Sequence, residues 1–353
     1  MHYTSSGSNS RGLLAVIVTA SMFGATFGLT LPLIALVLES WGTSKTLIGF
    51  NAAMPGLAAV ICVPFYPRII ACIGLLGFIY WCIAVVVISL LLFSVFSTLP
   101  SWFVIRFFNG SAAIGLFMAS ELWVNKLARN ESRGRVVAIF TTAVSLGFIT
   151  GPIILSVVGT DGPLPFIIPA GLIAAAGLCL VFARSTVPRP DERTGIGITS
   201  LFAIAPLIAC AALLDGILFM GIQALLPAYS LAIGLSATVA TLTVAWFAVG
   251  MLVLPILVGA LVDRHNSVKV LIGTVLTLTV TLWLIPLGFA GTWSRALILV
   301  LLGGMVNGVY AVTLTMLGER FRGGNRRSVG SVRRSRRASR RGREATRAPS
   351  RRL

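Results

Sequence analysis

Residues 73–96 read IGLLGFIYWCIAVVVISLLLFSVF, a stretch without Asp, Glu, Lys or Arg. As an α-helix this stretch would extend about 36 Å at ~1.5 Å per residue, enough to cross a hydrocarbon core of ~30 Å. A helix also satisfies its backbone N–H and C=O groups internally, which lipid requires because it offers no hydrogen bonds. The stretch therefore predicts a transmembrane helix.

Similar apolar stretches recur along the chain, separated by short turns that carry Gly, Pro, Ser or charge. The chain is 57% hydrophobic and 11% charged, with a mean hydropathy of +0.96, and is therefore far more apolar than a soluble domain. We predict an all-α integral membrane protein with about ten transmembrane helices. The expected spans are Leu13–Leu38, Leu47–Tyr66, Ile73–Phe96, Trp102–Val124, Val136–Val158, Leu164–Phe182, Ile204–Tyr229, Val239–Val262, Val268–Phe289 and Ala296–Leu317.

Most of the net charge of +18 lies in the C-terminal tail. Residues 320–353 contain 14 arginines and one acid, which leaves a charge of only +5 for the rest of the chain. The total charge therefore does not indicate a nucleic-acid-binding domain. The tail is expected to be disordered, because it has too little apolar surface to offset its chain entropy. Its composition of Arg, Ser, Gly and Ala without Lys favours a frameshift near Gly324 over a natural polybasic segment that binds anionic lipid or nucleic acid.

The residue types that enzymes and metal sites need are scarce. The five cysteines lie in or beside apolar segments without the spacing of a metal site, and there are only two histidines. We therefore predict no metal, no cofactor and no enzymatic activity, and interpret the cysteines as packing residues.

The basic residues outside the tail indicate the orientation in the membrane. If the N-terminus is cytoplasmic, the inner segments hold eleven Lys and Arg, whereas the outer loops hold only Lys45 and Arg295. Because Lys and Arg resist translocation, residues 1–12 are expected to lie in the cytoplasm.

A weak internal repeat suggests two halves. Gly42-Thr-Ser precedes the second span and Gly234-Leu-Ser precedes the eighth, and a Pro- and charge-rich segment follows the sixth span. Such a repeat is typical of transporters in which one half rocks against the other. The expected units are an N-terminal six-helix half at 13–183, a cytoplasmic linker at 184–199, an incomplete four-helix half at 200–319 and the Arg-rich tail at 320–353.

Two membrane motifs resemble those of the major facilitator superfamily. Arg106-Phe-Phe-Asn109-Gly110 resembles the pattern in which an intramembrane Arg is followed by Gln and Gly, with Asn109 in place of Gln. Gly147-Phe-Ile-Thr-Gly151-Pro152 resembles the GxxxGP element of proton-coupled antiporters in that superfamily, although Ile153 and Ile154 stand where further glycines are expected.

Two turn motifs extend the resemblance. Gly259-Ala-Leu-Val-Asp263-Arg264 is similar to the GxxxDR loop motif of the superfamily, and the matching turn Val63–Arg68 keeps Arg68 but lacks the Asp. The resemblance covers Leu13 to about Gly323. It implies a twelve-helix bundle in two halves, of which about ten helices are present here, and a transport function.

Three ionisable residues within the spans are the main candidates for a proton or substrate pathway, since a charged group inside a membrane is expensive. The resemblance assigns Arg106, with Asn109 and Gly110, to the proton path or to an anionic group in a central cavity; the alternative is a structural pairing between helices. Asp215 is a candidate protonatable coupling site or a neutral packing acid. Glu121 is a candidate inner-gate or interface residue.

Further candidates concern gating, packing and the cavity. Ion pairs among Asp263, Arg264, Arg68, Arg133 and Arg135 would close the cytoplasmic side, unless these residues form ordinary solvated turns. Gly147, Gly151 and Pro152 would bend the fifth helix or pack it closely against a neighbour. Six polar or aromatic side chains could line a central cavity: Asn51, Gln223, Tyr229, Trp246, Asn307 and Tyr310.

Taken together, the sequence predicts a multi-pass permease of a bacterial inner membrane. We expect proton-coupled efflux of a small amphipathic compound by alternating access, with the small molecule, protons and the lipid bilayer as partners, no specific nucleic acid and a monomeric state. A sugar or metabolite uniporter or exporter and an inactive truncated remnant are the alternatives. Substrate specificity in such a protein resides in the shape of a cavity and in a few side chains that line it.

Overall fold

The computed structural model describes residues 5–127, 133–181, 184, 187, 206–289, 291–313 and 315–316. These residues form long helices and no strand, as predicted. The helix bounds are α1 Ser5–Ser40, α2 Lys45–Cys62, α3 Tyr66–Val95, α4 Leu99–Leu127, α5 Arg133–Val158, α6 Leu164–Val181, α7 Pro206–Ala232, α8 Ala237–Arg264, α9 Ser267–Gly288 and α10 Thr292–Thr313.

Nine described segments are long and apolar enough to cross a membrane. One of them, Lys45–Val95, has 51 residues and contains both α2 and α3. A straight helix of that length would measure about 77 Å, more than twice the hydrocarbon thickness. The segment therefore provides two crossings, and the expected number of about ten is confirmed.

The reversal between these two crossings lies at Gly74. A Cβ built on Gly115 of α4 would lie 3.3 Å from Tyr66 Cε2 and 3.0 Å from both Phe78 Cζ and Cys82 Sγ. In a continuous helix Tyr66 and Cys82 would be about 24 Å apart, so the chain must turn back between them. Gly74 breaks the helix with φ 76° and ψ 162°, a conformation open mainly to glycine. The expected bounds Leu47–Tyr66 and Ile73–Phe96 are therefore corrected: the first crossing continues helically beyond Tyr66.

Helices α1 and α5 cross at close range through glycines. A Cβ on Gly151 would lie 2.5 Å from the Ala25 carbonyl oxygen and 2.6 Å from Leu29 N, and one on Gly147 would contact the backbone from Ser21 to Ala25. In return, Gly28 faces Phe148 and Gly24 faces Val144. Two GxxxG faces thus interlock, and the missing side chains let the backbones approach to contact distance.

The weak repeat is present in the backbone geometry. Gly42 after α1 and Gly234 after α7 have φ of 70° and 86°, and each donates its N–H to the carbonyl three residues earlier at 2.9 Å. Ser44 and Ser236 then cap the next helices by accepting hydrogen bonds from Leu47 N and Val239 N, both at 3.4 Å. The same turn and cap thus join α1 to α2 and α7 to α8.

The two halves of the repeat differ in burial. In the most apolar window of α1, 83% of the residues are buried, against 33% in the equivalent helix α7. Gly216 of α7 stands where the repeat places Gly24 of α1, but a Cβ there would meet no described atom within 4 Å. No described helix therefore covers this face of α7 in the way that α5 covers α1.

The outer surface of the bundle is apolar. Val157, Ile256, Trp283 and Trp293 are all at least 70% exposed. In water such a surface would be strongly unfavourable, whereas in a bilayer it contacts lipid.

Candidate functional site

Three uncharged or basic polar side chains are fully buried between the two halves. Arg106 on α4 and Asn51 on α2 are 1% exposed, and Gln223 on α7 is 0% exposed. Arg106 Nε and Nη1, and both amide atoms of Asn51 and of Gln223, have no hydrogen-bond partner among the described residues. Arg106 and Asn51 share a cavity of about 10 Å³, enough for roughly one water molecule. Because buried polar groups without hydrogen-bond partners are energetically costly, these three side chains would gain hydrogen bonds from a water molecule or from a polar group of a substrate.

This layer is sealed at the end of the bundle that carries Ser40, Val95 and Ala232, which we call the Ser40 end. A buried apolar cluster there draws residues from the first six helices and adds Ala240 of α8 and Leu231 of α7. The two halves are therefore in contact at the Ser40 end, and this apolar cluster lies between the polar layer and that end of the described helices.

Two carboxylates and a tyrosine lie toward the opposite end, which we call the Arg264 end. Glu121 on α4 and Asp215 on α7 are partly exposed, and Tyr310 on α10 is 41% exposed. Both carboxylates lie within electrostatic range of Tyr310, and we call these three groups the carboxylate cluster. Asp215 Oδ1 is buried without a hydrogen-bond partner among the described residues.

The carboxylate cluster and the arginine layer are separate. Glu121 follows Arg106 by fifteen residues on α4, which is about 22 Å along the helix. Neither Glu121 nor Asp215 forms an ion pair within the described part of the chain, where Lys45–Glu39 at the Ser40 end is the one salt bridge. The alternative that Arg106 pairs with an acid is therefore absent from the described contacts.

A continuous row of phenylalanines lies between the two layers. Neighbouring ring centroids are 5.5–6.0 Å apart along the whole row, within the range of favourable aromatic contacts. The rings follow the order Phe140, Phe117, Phe23, Phe27, Phe148 and Phe219. The contact between Phe148 of α5 and Phe219 of α7 crosses between the halves. The sequence analysis did not single out this row, because an apolar side chain on a membrane helix carries no sign of which way it faces.

The other cavity candidates have different surroundings. Asn307 Nδ2 donates a 2.7 Å hydrogen bond to the Met251 carbonyl and so ties α10 to α8. Tyr229 packs edge-on against Phe289 at 5.3 Å, and Trp246 is 40% exposed. Of the six candidates, Asn51, Gln223 and Tyr310 lie in the two polar layers.

The remaining pathway and packing candidates lie at helix contacts. Asn109 is 3% exposed, and a Cβ on Gly110 would lie 2.5 Å from Pro55 Cα, which brings α4 and α2 together. Pro152 is buried within α5, one residue beyond the Gly151 contact with α1. The partners Gly24 and Gly28 were not predicted, since the sequence does not say which helix the Gly147 face meets.

The proposed gate lies partly outside the described residues. Arg133, Arg135 and Asp263 belong to helices, but their side chains are outside the described set. Arg68 and Arg264 are exposed at the Arg264 end. Ion pairing among these five residues stays a prediction.

An apolar outer surface, a repeated helix turn and polar layers among the helices are together typical of a membrane transporter. The sequence pattern of the Major Facilitator Superfamily matches residues 16–335, and the chain belongs to this family. The resemblance found in the motifs is thus confirmed.

Individual relatives agree with this assignment. The chain is 25% identical over 268 residues to the uncharacterized MFS-type transporter YfkF of Bacillus subtilis (strain 168). The aligned region covers 74% of this chain and 68% of the relative. A bacterial homolog of the human lysosomal transporter Spinster, in an inward-facing unoccupied conformation, matches with a TM-score of 0.64 and 12% identity over 88% of this chain and 75% of its own. A D-xylose-proton symporter matches with a TM-score of 0.59 and 16% identity over 85% and 80%. These structures show the shared fold.

Proposed function

We propose that this transporter exports a small amphipathic compound in exchange for protons, by alternating access between its two halves. The observation that carries the proposal is Asp215, whose Oδ1 atom is buried without a described partner in a region shared by α4, α7 and α10. A carboxylate desolvated in this way is stabilised by taking up a proton or by meeting a cation, and it can exchange one for the other.

The two layers divide the work of the transport cycle. The halves touch at the Ser40 end, whereas Glu121, Asp215 and Tyr310 remain partly exposed toward the other end. This arrangement is that of a carrier whose site is accessible from the Arg264 end. Arg106, Asn51 and Gln223 would be uncovered when the Ser40 end opens, and their unpaired polar atoms would then gain water or substrate contacts.

The orientation and surroundings complete the proposal. The excess of Lys and Arg in the segments at the Arg264 end supports an orientation with this end on the cytoplasmic side of a bacterial plasma membrane. The same proposal includes a division into units at 13–183 and 200–319 and a monomeric state. It also includes a gate formed by Arg68, Arg133, Arg135, Asp263 and Arg264. A D-xylose-proton symporter has a similar fold, which supports proton coupling as part of the proposal.

The test is transport in proteoliposomes with an imposed pH gradient. With an acidic lumen, a panel of amphipathic compounds should include one that accumulates, and collapse of the gradient should release it. Asp215→Asn and Arg106→Ala should abolish the gradient-driven component. The matched control is Asp161→Asn, which neutralises an exposed acid at the Ser40 end and should transport at the original rate. Accumulation that ignores the gradient, or an active Asp215→Asn variant, would refute proton coupling.

A transport-inactive remnant is the second candidate. The uncovered face of α7 around Gly216 favours it, because the equivalent face of α1 is closed by α5. A remnant would insert into the membrane and bind detergent, yet show no accumulation of any compound under any gradient.

A further inference from the structure

We infer that the substrate is an organic cation with an aromatic or otherwise lipophilic body, held between the Glu121–Asp215–Tyr310 cluster and the row of phenylalanines. This inference rests on the proposed transport function and names its substrate class. It starts from the position of the acids relative to the row of phenylalanines, because the transport proposal does not use the phenylalanines.

The acids and the rings share helix faces. Glu121 follows Phe117 by four residues on α4, and Asp215 precedes Phe219 by four residues on α7, so each acid lies one turn from a ring on the same face. Because α4 and α7 run in opposite directions, both acids lie on the Arg264 side of their phenylalanine. Phe117, Phe148 and Phe219 are half-buried, whereas Phe140 is 1% exposed. A ligand entering from the Arg264 end therefore meets two carboxylates first and aromatic rings next.

The charges in this region favour a cation over an anion. Neither carboxylate has a basic partner among the described residues. Arg106 is about 22 Å from Glu121 along α4, too far to neutralise it directly. A desolvated acid without a partner gains most from a positive ligand, and ring faces add cation–π attraction. A neutral sugar would leave both acids uncompensated and would meet phenylalanine rings where it needs hydrogen-bond donors and acceptors.

The same arrangement explains exchange. A cation and a proton compete for the Glu121 and Asp215 carboxylates, so that loading of one releases the other. Tyr310 lies within electrostatic range of both acids.

The test compares two probes of equal shape and opposite charge, tetraphenylphosphonium and tetraphenylborate. Equilibrium binding of radiolabelled tetraphenylphosphonium is measured on the detergent-purified full chain without any gradient. The cation should bind saturably and the anion should not compete. Glu121→Gln and Asp215→Asn should each weaken binding by about tenfold, the factor that corresponds to ~1.4 kcal/mol. Asp161→Asn is the control for loss of one exposed negative charge and should bind as the original chain does.

Equal binding of the two probes, or unchanged tetraphenylphosphonium binding in the Glu121→Gln/Asp215→Asn double variant, would overturn the inference. Size-exclusion chromatography of each variant verifies that a loss of binding is not a loss of fold. Binding without gradient-driven transport would count against the proposed function alone. Gradient-driven transport of a neutral compound without tetraphenylphosphonium binding would count against the cation site alone.

Discussion

Substitution of Gly151 by Ala tests the interlocking of α1 and α5. The new Cβ would lie 2.5 Å from the Ala25 carbonyl oxygen, 2.6 Å from Leu29 N and 2.8 Å from the Gly28 carbonyl carbon, whereas ordinary contacts are 3.4–4 Å. All three atoms belong to the backbone and cannot rotate away. The two helices must therefore separate by about 1 Å, which opens contacts along the rest of the crossing.

The loss of stability in Gly151→Ala can be estimated from overpacking substitutions in other protein cores. Strain of this kind costs roughly 1–3 kcal/mol, which for a domain of this size lowers Tm by roughly 2–12 °C. The control is Gly171→Ala on α6, where a Cβ would meet nothing within 4 Å. That substitution should leave Tm unchanged or raise it slightly, because alanine favours helix by about 0.5–1 kcal/mol over glycine.

The assay is thermal unfolding of the purified chain in one detergent, followed by thiol-reactive fluorescence at the buried Cys82. The two alanine variants add the same methyl group to a helix interior, so their difference reports the α1–α5 contact. If Gly151→Ala melts together with Gly171→Ala, α1 and α5 are not packed backbone to backbone, and the reasoning is refuted.

Three further predictions concern single residues. Arg106→Ala should keep or raise Tm, because it removes a buried charge without a described partner, while transport is lost; a lower Tm would instead indicate a structural pairing. Gly74→Ala should lower Tm, because a side chain at φ 76° costs about 1–2 kcal/mol. The comparison is Gly77→Ala, which lies in a helical part of α3, and equal Tm values of the two variants would contradict a reversal at Gly74. Asn307→Leu should lower stability by about 1 kcal/mol through loss of the hydrogen bond to Met251, measured by thermal unfolding, and an unchanged Tm would show that α8 and α10 do not depend on it.

The crossings could be predicted from sequence because lipid leaves the backbone few choices. A long charge-free run must be helical when no solvent can satisfy its N–H and C=O groups. The reversal at Gly74 could not be located in the same way, since residues 66–73 are apolar apart from Pro67 and Arg68 and continue as a helix. The contact of Tyr66 and Cys82 with one glycine of α4, together with the φ of 76° at Gly74, shows where the chain turns.

The candidate site was predictable only in part. Arg106, Asp215 and Glu121 stand out because charge is rare and costly inside a membrane. Their grouping does not follow from sequence: Arg106 shares a cavity with Asn51, whereas Glu121 and Asp215 both lie within electrostatic range of Tyr310. Which helices adjoin is a property of packing, and the phenylalanines that link the layers look in sequence like any lipid-facing residue.

The central claim is that the space between the halves is open at the Arg264 end and closed at the Ser40 end, and that transport reverses this. Single cysteines at Asn51 and Asp215, on a background without the five native cysteines, would be labelled with a membrane-impermeant maleimide from each side. Without substrate, position 215 should react from the Arg264 side and position 51 should be protected; under a driving pH gradient with substrate, position 51 should become reactive from the Ser40 side. A reactive position 51 with a protected position 215 at rest, or labelling that never changes during transport, would contradict the account.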